Sequence, residues 1–135
     1  TKRDPRAICW SLFRTRFSAS GQRFAYDLED AAEFYLLYED LMQFWHQQLP
    51  GRISDLDYDA LTQNQEGQTR KLLGFAGLEW EDACLDFHRT NTAVRTASVV
   101  QVRQKMYRGS SEQWRNYEPF LGPMLDVLER RQIAD

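Results

Sequence analysis

The stretch from Asp27 to Leu49 constrains the fold of this chain more than any other. Leu28, Ala31, Tyr35, Tyr38, Met42 and Trp45 recur at helical spacing, with Phe34, Leu37 and Leu41 beside them. Apolar residues repeating every three to four positions lay a continuous stripe along an α-helix. Asp27 stands where an N-cap accepts from the unpaired amides of the first turn, and Pro50-Gly51 ends the pattern. The stripe is wide enough that the helix is expected to be largely covered. Eight Phe, six Tyr and four Trp in 135 residues point the same way, because large rings contribute most when buried. Part of that packing surface can be an interface rather than a core.

The flanking segments also read as helices. Asp4-Pro5 is an N-cap followed by proline at the first helical position, and Ala7, Ile8, Ser11, Leu12 and Phe13 extend that helix toward Phe17, with a stop near Ser18-Ala19-Ser20-Gly21. Gln65 to Ala76 forms a further predicted helix, with Leu72, Leu73, Phe75 and Ala76 as its buried end and Gly77 as its C-terminal cap. A helical turn is expected over Glu81 to Phe87 and another over Glu112 to Tyr117. Pro119 is expected to start a last helix carrying Leu121, Met124, Leu125 and Leu128 down to Arg131. Alternation of Ile53, Asp55 and Asp57 with Ser54, Leu56 and Tyr58 suggests a short strand, and Thr90 to Arg103 reads as extended. The fold class is therefore mainly α with one or two short strands, in a single region spanning 1–135 without repeats or interdomain linkers.

Charge and cysteine content narrow the chemistry. A net charge of −3 offers no overall attraction to nucleic acid or an anionic membrane, so any phosphate must be held by a local cluster of arginines. Cys9 and Cys84 are far apart and lack metal-type spacing, which favours reduced thiols, a cytoplasmic setting and no bound metal. No apolar run approaches the ~20 residues of a membrane-spanning helix. His46 and His88 have no ligand partner at metal spacing, and Glu29, Asp30, Glu39 and Asp40 read as a solvated acidic face of the long helix.

Two segments have the composition of an anion site. The first, Arg3-Asp4-Pro5-Arg6-Ala7-Ile8-Cys9-Trp10-Ser11, places an arginine just ahead of a helix start and a hydroxyl two turns into it. Guanidinium groups and helix N-termini both favour phosphate. The second runs from Thr96 to Arg103 and on through Tyr107-Arg108-Gly109-Ser110-Ser111-Glu112-Gln113-Trp114. Gly109 permits close backbone approach there, beside arginines and serine hydroxyls. Taken singly, the more economical readings are a solvated terminal arginine with an ordinary helix serine, and an exposed polar loop.

Taken together, the segments resemble a known family. Arg-Asp-Pro-Arg with Ser11 eight positions after Arg3 is similar to the 3′-phosphate motif of sulfotransferases, and Arg108-Gly109 with Trp114 five residues later resembles that family's second 3′-phosphate element. Leu56-Asp57-Tyr58-Asp59-Ala60-Leu61 and Ser98-Val99-Val100-Gln101-Val102 look like segments of the tyrosylprotein branch, and the runs Leu72 to Trp80 and Val94 to Tyr117 look most like bacterial members fused to tetratricopeptide repeats. The chain departs from these patterns at Tyr107, Thr15 and Gln113, where basic residues are usual; Arg14 and Arg16 flank Thr15.

The resemblance implies the C-terminal part of the α/β sulfotransferase fold and use of 3′-phosphoadenylyl sulfate (PAPS) to sulfate a hydroxyl acceptor. It implies cofactor contacts from Arg3, Ser11, Tyr58, Gln101, Arg108 and Gly109, with Ser98 supporting catalysis. Arg3, Ser11, Arg108 and Gly109 are expected to converge on one anion. The family's Pro-Arg-Ser-Gly-Thr-Thr-like phosphosulfate loop does not occur in these 135 residues. The expectation is therefore an inactive chain when alone, partnered by an N-terminal sulfotransferase half or by copies of itself. The alternative is a non-catalytic helical interaction module of the same descent.

Overall fold

The structure is a computed structural model that describes residues 1–17, 21–89 and 104–134. It is mainly α. Among the described residues, five α-helices, α1 (Pro5–Arg14), α2 (Leu28–Gln48), α3 (Tyr58–Gln63), α4 (Gln65–Ala76) and α5 (Gly122–Ala134), are joined by 3₁₀ turns, including a long one over Ser110–Phe120. The segment expected as extended, Thr90 to Arg103, lies outside the described residues. The chain forms two compact units, Arg3–Ile53 with Ser110–Asp135, and Thr1–Lys2 with Ser54–Gly109.

The first unit has a well-defined core. Asp4 accepts from Arg6 N to cap α1, and Asp27 accepts from Glu29 N and Asp30 N to cap α2, each satisfying amides that a helix start leaves unpaired. Small residues on both helices (Ala7 and Cys9; Ala31 and Ala32) are buried and allow close approach, with the Cys9 thiol 3.7 Å from the Ala31 carbonyl. Trp114, Leu121, Met124, Val127 and Leu128 complete the cluster. Tyr35 belongs to this cluster too and donates to Glu39 at 2.8 Å, and Arg131 pairs with Asp40.

The second unit is built differently. α3 opens on Asp57, which caps Ala60 N, and Asn64 caps α4 by accepting from Gly67 N. Gly77 ends α4 with φ 69°, a left-handed conformation that suits glycine. No described residue of this unit is fully buried.

Four expectations are corrected here. The α2 stripe is not covered: Phe34, Leu37, Leu41, Phe44 and Trp45 are all exposed, and burial is limited to Ala31, Ala32 and Tyr35. The end of α4 is not buried either, since Leu72 and Phe75 are exposed. Helical periodicity shows which residues share a face, not whether anything lies against it. The last helix starts at Gly122 rather than Pro119, because Pro119 sits inside the 3₁₀ helix. The strand expected over Ile53–Tyr58 amounts to one parallel bridge between Lys2 and Asp57, with Lys2 N donating to the Leu56 carbonyl at 2.7 Å and Tyr58 N to the Lys2 carbonyl at 2.9 Å.

Burial pushes the Cys9 thiol up to about 12, and burial together with the Glu39 hydrogen bond raises the Tyr35 phenol. A group whose folded pKa lies above its unfolded value stabilises the protein fully below the unfolded pKa, and this is lost as pH rises toward the folded one. Urea midpoints are therefore expected to fall between about pH 9 and 12, and Cys9→Ala is expected to flatten that fall; a midpoint independent of pH over this window would contradict the burial of both groups. Met124→Ala should cost about 2–5 kcal/mol by cavity formation.

Candidate anion site at the start of the first helix

The site is assembled by two segments of the first unit. The N-terminal one is fixed by the Asp4 cap. Burial disfavours the charged Asp4 carboxylate, but hydrogen bonds and charge from Arg6 outweigh it and hold the pKa below its ordinary value. Arg6 donates from Nε at 3.0 Å and from Nη2 at 2.6 Å to that carboxylate, and the Asp4 hydrogen bond correspondingly raises the Arg6 pKa. The Arg6 guanidinium lies 4.5 Å from the centre of the Trp114 ring, a cation–π contact.

The second segment is the 3₁₀ helix that follows Gly109. Gly109 has φ 84°, a conformation that favours glycine, and Ser110, Ser111 and Trp114 are buried directly after it. Arg3 donates from Nε to Ser111 Oγ at 2.8 Å across 108 residues of sequence. Arg14, in the last turn of α1, donates from Nη1 to Gln113 Oε1 at 3.0 Å. Trp10 packs on Tyr117 with ring centres 4.4 Å apart. Ser11 is half-buried on α1, and its carbonyl accepts from Thr15 Oγ1 at 2.6 Å.

The first motif and the segment following Gly109 are thus brought together, with Arg3 bonded to Ser111. Arg108 and Gly109 belong to the second unit, where exposed Arg108 donates to the carbonyls of Thr62 and Gln63 at the end of α3. Tyr58 is the half-buried first residue of α3 in that same unit. Ser98 and Gln101 lie outside the described residues. Sequence reasoning missed Ser111 as a partner of Arg3; only its place in a Ser-Ser pair between Gly109 and Trp114 marked it. Among the described residues no cluster of His, Cys, Asp or Glu fits a metal ion, and no helix is long and apolar enough to cross a membrane.

Asp4→Ala removes the α1 cap and the Arg6 partner together, and is expected to cost about 1–2 kcal/mol at pH 7. Because the Asp4 pKa is depressed in the fold, its contribution is present above the unfolded value and is lost as pH falls through the lower folded one. Urea titrations of wild type and variant should converge in strong acid; a constant difference at every pH would contradict this.

Comparison with known proteins gives the family. The model of the sulfotransferase family matches residues 1–82, which hold the first motif, α2 and most of α4's unit. An uncharacterized protein of Aquifex aeolicus (strain VF5) is 38% identical over 130 residues, covering 95% of this chain and 17% of that protein. The chain therefore spans about a sixth of the length of this relative, and no solved structure matches it. With a family model covering more than half of its residues, on the segment that carries Arg3 and Ser11, the chain belongs to the sulfotransferase family.

Proposed function

We propose that this chain supplies the 3′-phosphate and nucleotide contacts of a sulfotransferase that moves a sulfuryl group from PAPS to a hydroxyl acceptor. The observation that carries this reading is the 2.8 Å bond from Arg3 to Ser111. It joins the two segments that resemble the family's 3′-phosphate elements, although most of the chain separates them. Asp4 pairs with Arg6, and the Ser111 hydroxyl accepts from Arg3. Ser11 adds a hydroxyl donor on the helix that Arg3 precedes. By resemblance to the tetratricopeptide-repeat-fused and tyrosylprotein branches, Tyr58, Gln101, Arg108 and Gly109 add nucleotide contacts, and Ser98 supports the transferring sulfuryl group.

Sulfuryl transfer also requires charge stabilisation and an oriented nucleophile at the reacting end, and the phosphosulfate loop of the family does not occur in these 135 residues. A second reading, a non-catalytic helical interaction module, is favoured by the exposed apolar face of α2. Such a face suits a sulfotransferase half or a second copy as partner.

Calorimetry with adenosine 3′,5′-bisphosphate separates the readings. Weak binding by the wild type that Arg3→Ala abolishes supports the nucleotide site; equal binding by both, or none by either, leaves the interaction module in front. The 135-residue chain alone is expected to transfer no radiolabelled sulfate from PAPS to any hydroxyl acceptor. Transfer by the pure chain would overturn that expectation.

A further inference from the structure

The exposed apolar residues of α2 are not scattered. Phe34, Leu37, Tyr38, Leu41, Phe44 and Trp45 are between 37% and 65% exposed. Steps of three and four residues set them on one side of the helix, beside the strip that buries Ala31, Ala32 and Tyr35. Neighbours already hold some of these rings: Phe34 stacks on Phe24 with centres 3.8 Å apart, and Phe44 meets Trp45 edge-on at 5.2 Å. Rings ordered in this way lose little freedom on docking. At these exposures the four rings and two leucines offer on the order of 500 Å² per copy. A symmetric pair that covers them buries about 1,000 Å², the lower bound of a specific interface.

Charge fixes the direction of such a pair. α2 contains no lysine or arginine, and Glu29, Asp30 and Glu33 stand exposed in its first turns, whereas exposed Arg52 follows its end. Two parallel copies would set these carboxylates against each other, a like-charge arrangement that disfavours association. In an antiparallel pair centred on Leu41 the two acidic ends lie about 30 Å apart, well beyond the ~8–10 Å over which salt screens exposed charges. Asp30, eleven residues before Leu41, then comes level with Arg52, eleven residues after it.

We propose that the apolar face of α2 is a homodimer interface, in which two copies of this chain pack antiparallel about a twofold axis through Leu41. Leu41 then meets its own symmetry mate, with Leu37 opposite Trp45 and Tyr38 opposite Phe44. One self-complementary patch serves both copies, as a twofold axis requires. This deepens the reading of the α2 face as an interaction surface and is independent of the nucleotide site.

The test uses the 135-residue chain. Sedimentation equilibrium should give a dimer at micromolar concentration, and Leu41→Glu, which puts two like charges on the axis, should raise its dissociation constant at least about a hundredfold. Leu72→Glu, on the exposed end of α4, should leave the dimer unchanged. Orientation is read by air oxidation in a Cys84→Ser background, where the remaining Cys9 is buried. Leu41→Cys should give a cross-linked dimer. Leu37→Cys should not, because antiparallel pairing sets the two copies of position 37 about 12 Å apart along the helix axis, beyond disulfide reach. Cross-linking at position 37 as readily as at 41 overturns the inference, and so does a dimer that Leu41→Glu leaves intact. A wild type that stays monomeric, with Leu41→Glu equally heat-stable, overturns the second copy as occupant and leaves the face to a sulfotransferase half. A monomeric wild type that Leu41→Glu strongly destabilises shows Leu41 packed within its own chain, and overturns the interaction-surface reading as well.

Discussion

The burial of Trp114 is the constraint on which the first unit depends. Its ring is 1% exposed and belongs to the same cluster as Ala7 and Cys9 of α1, Ala31 and Ala32 of α2, and Met124 of α5. In a 3₁₀ helix residues three apart eclipse one another, so turning Trp114 into the core turns Ser111 inward as well. Ser111 is 3% exposed, and its hydroxyl meets Arg3 there. Core packing and arginine placement are therefore one event. The Arg6 guanidinium over the Trp114 ring, tied in turn to the Asp4 cap, fixes the start of α1 from the same side. Under the proposed nucleotide reading, binding would need little loop ordering, because the residues it invokes are held by a helix cap and a buried ring.

The two units divide the work unequally. The first buries its own core, whereas the second leaves Leu72, Phe75 and Leu78 exposed and holds together through caps, the Lys2–Asp57 bridge and the Lys2–Asp55 ion pair. Exposed aliphatic and aromatic side chains in rows, as on α2, are costly for a monomer in water and favour a covering partner. That physical demand is shared by both functional readings, since a sulfotransferase half and a second copy would each remove the same apolar surface from water.

Local signals were legible in the sequence where the chemistry is local. Asp4-Pro5, Asp27 and Gly77 mark helix ends by hydrogen bonding and backbone conformation that depend only on near neighbours, and all three act as read. The mainly α class followed from the same periodicities. What was not legible depends on distant partners. The spacing of Leu37 and Leu41 cannot say whether another element covers them, and they are exposed. Pro119 has the composition of a helix start, yet the 3₁₀ helix runs through it, since proline also fits the tighter turn when its missing N–H is not required. The Arg3–Ser111 and Arg14–Gln113 bonds span 108 and 99 positions, and only the likeness of both segments to one family hinted that they meet.

A structure of this chain with adenosine 3′,5′-bisphosphate bound tests the nucleotide site most directly. The 3′-phosphate is expected within hydrogen-bonding distance of the Arg3 guanidinium and the Ser11 hydroxyl, at the start of α1 beside Ser111. A nucleotide bound with its 3′-phosphate away from Arg3 and Ser11 would contradict it.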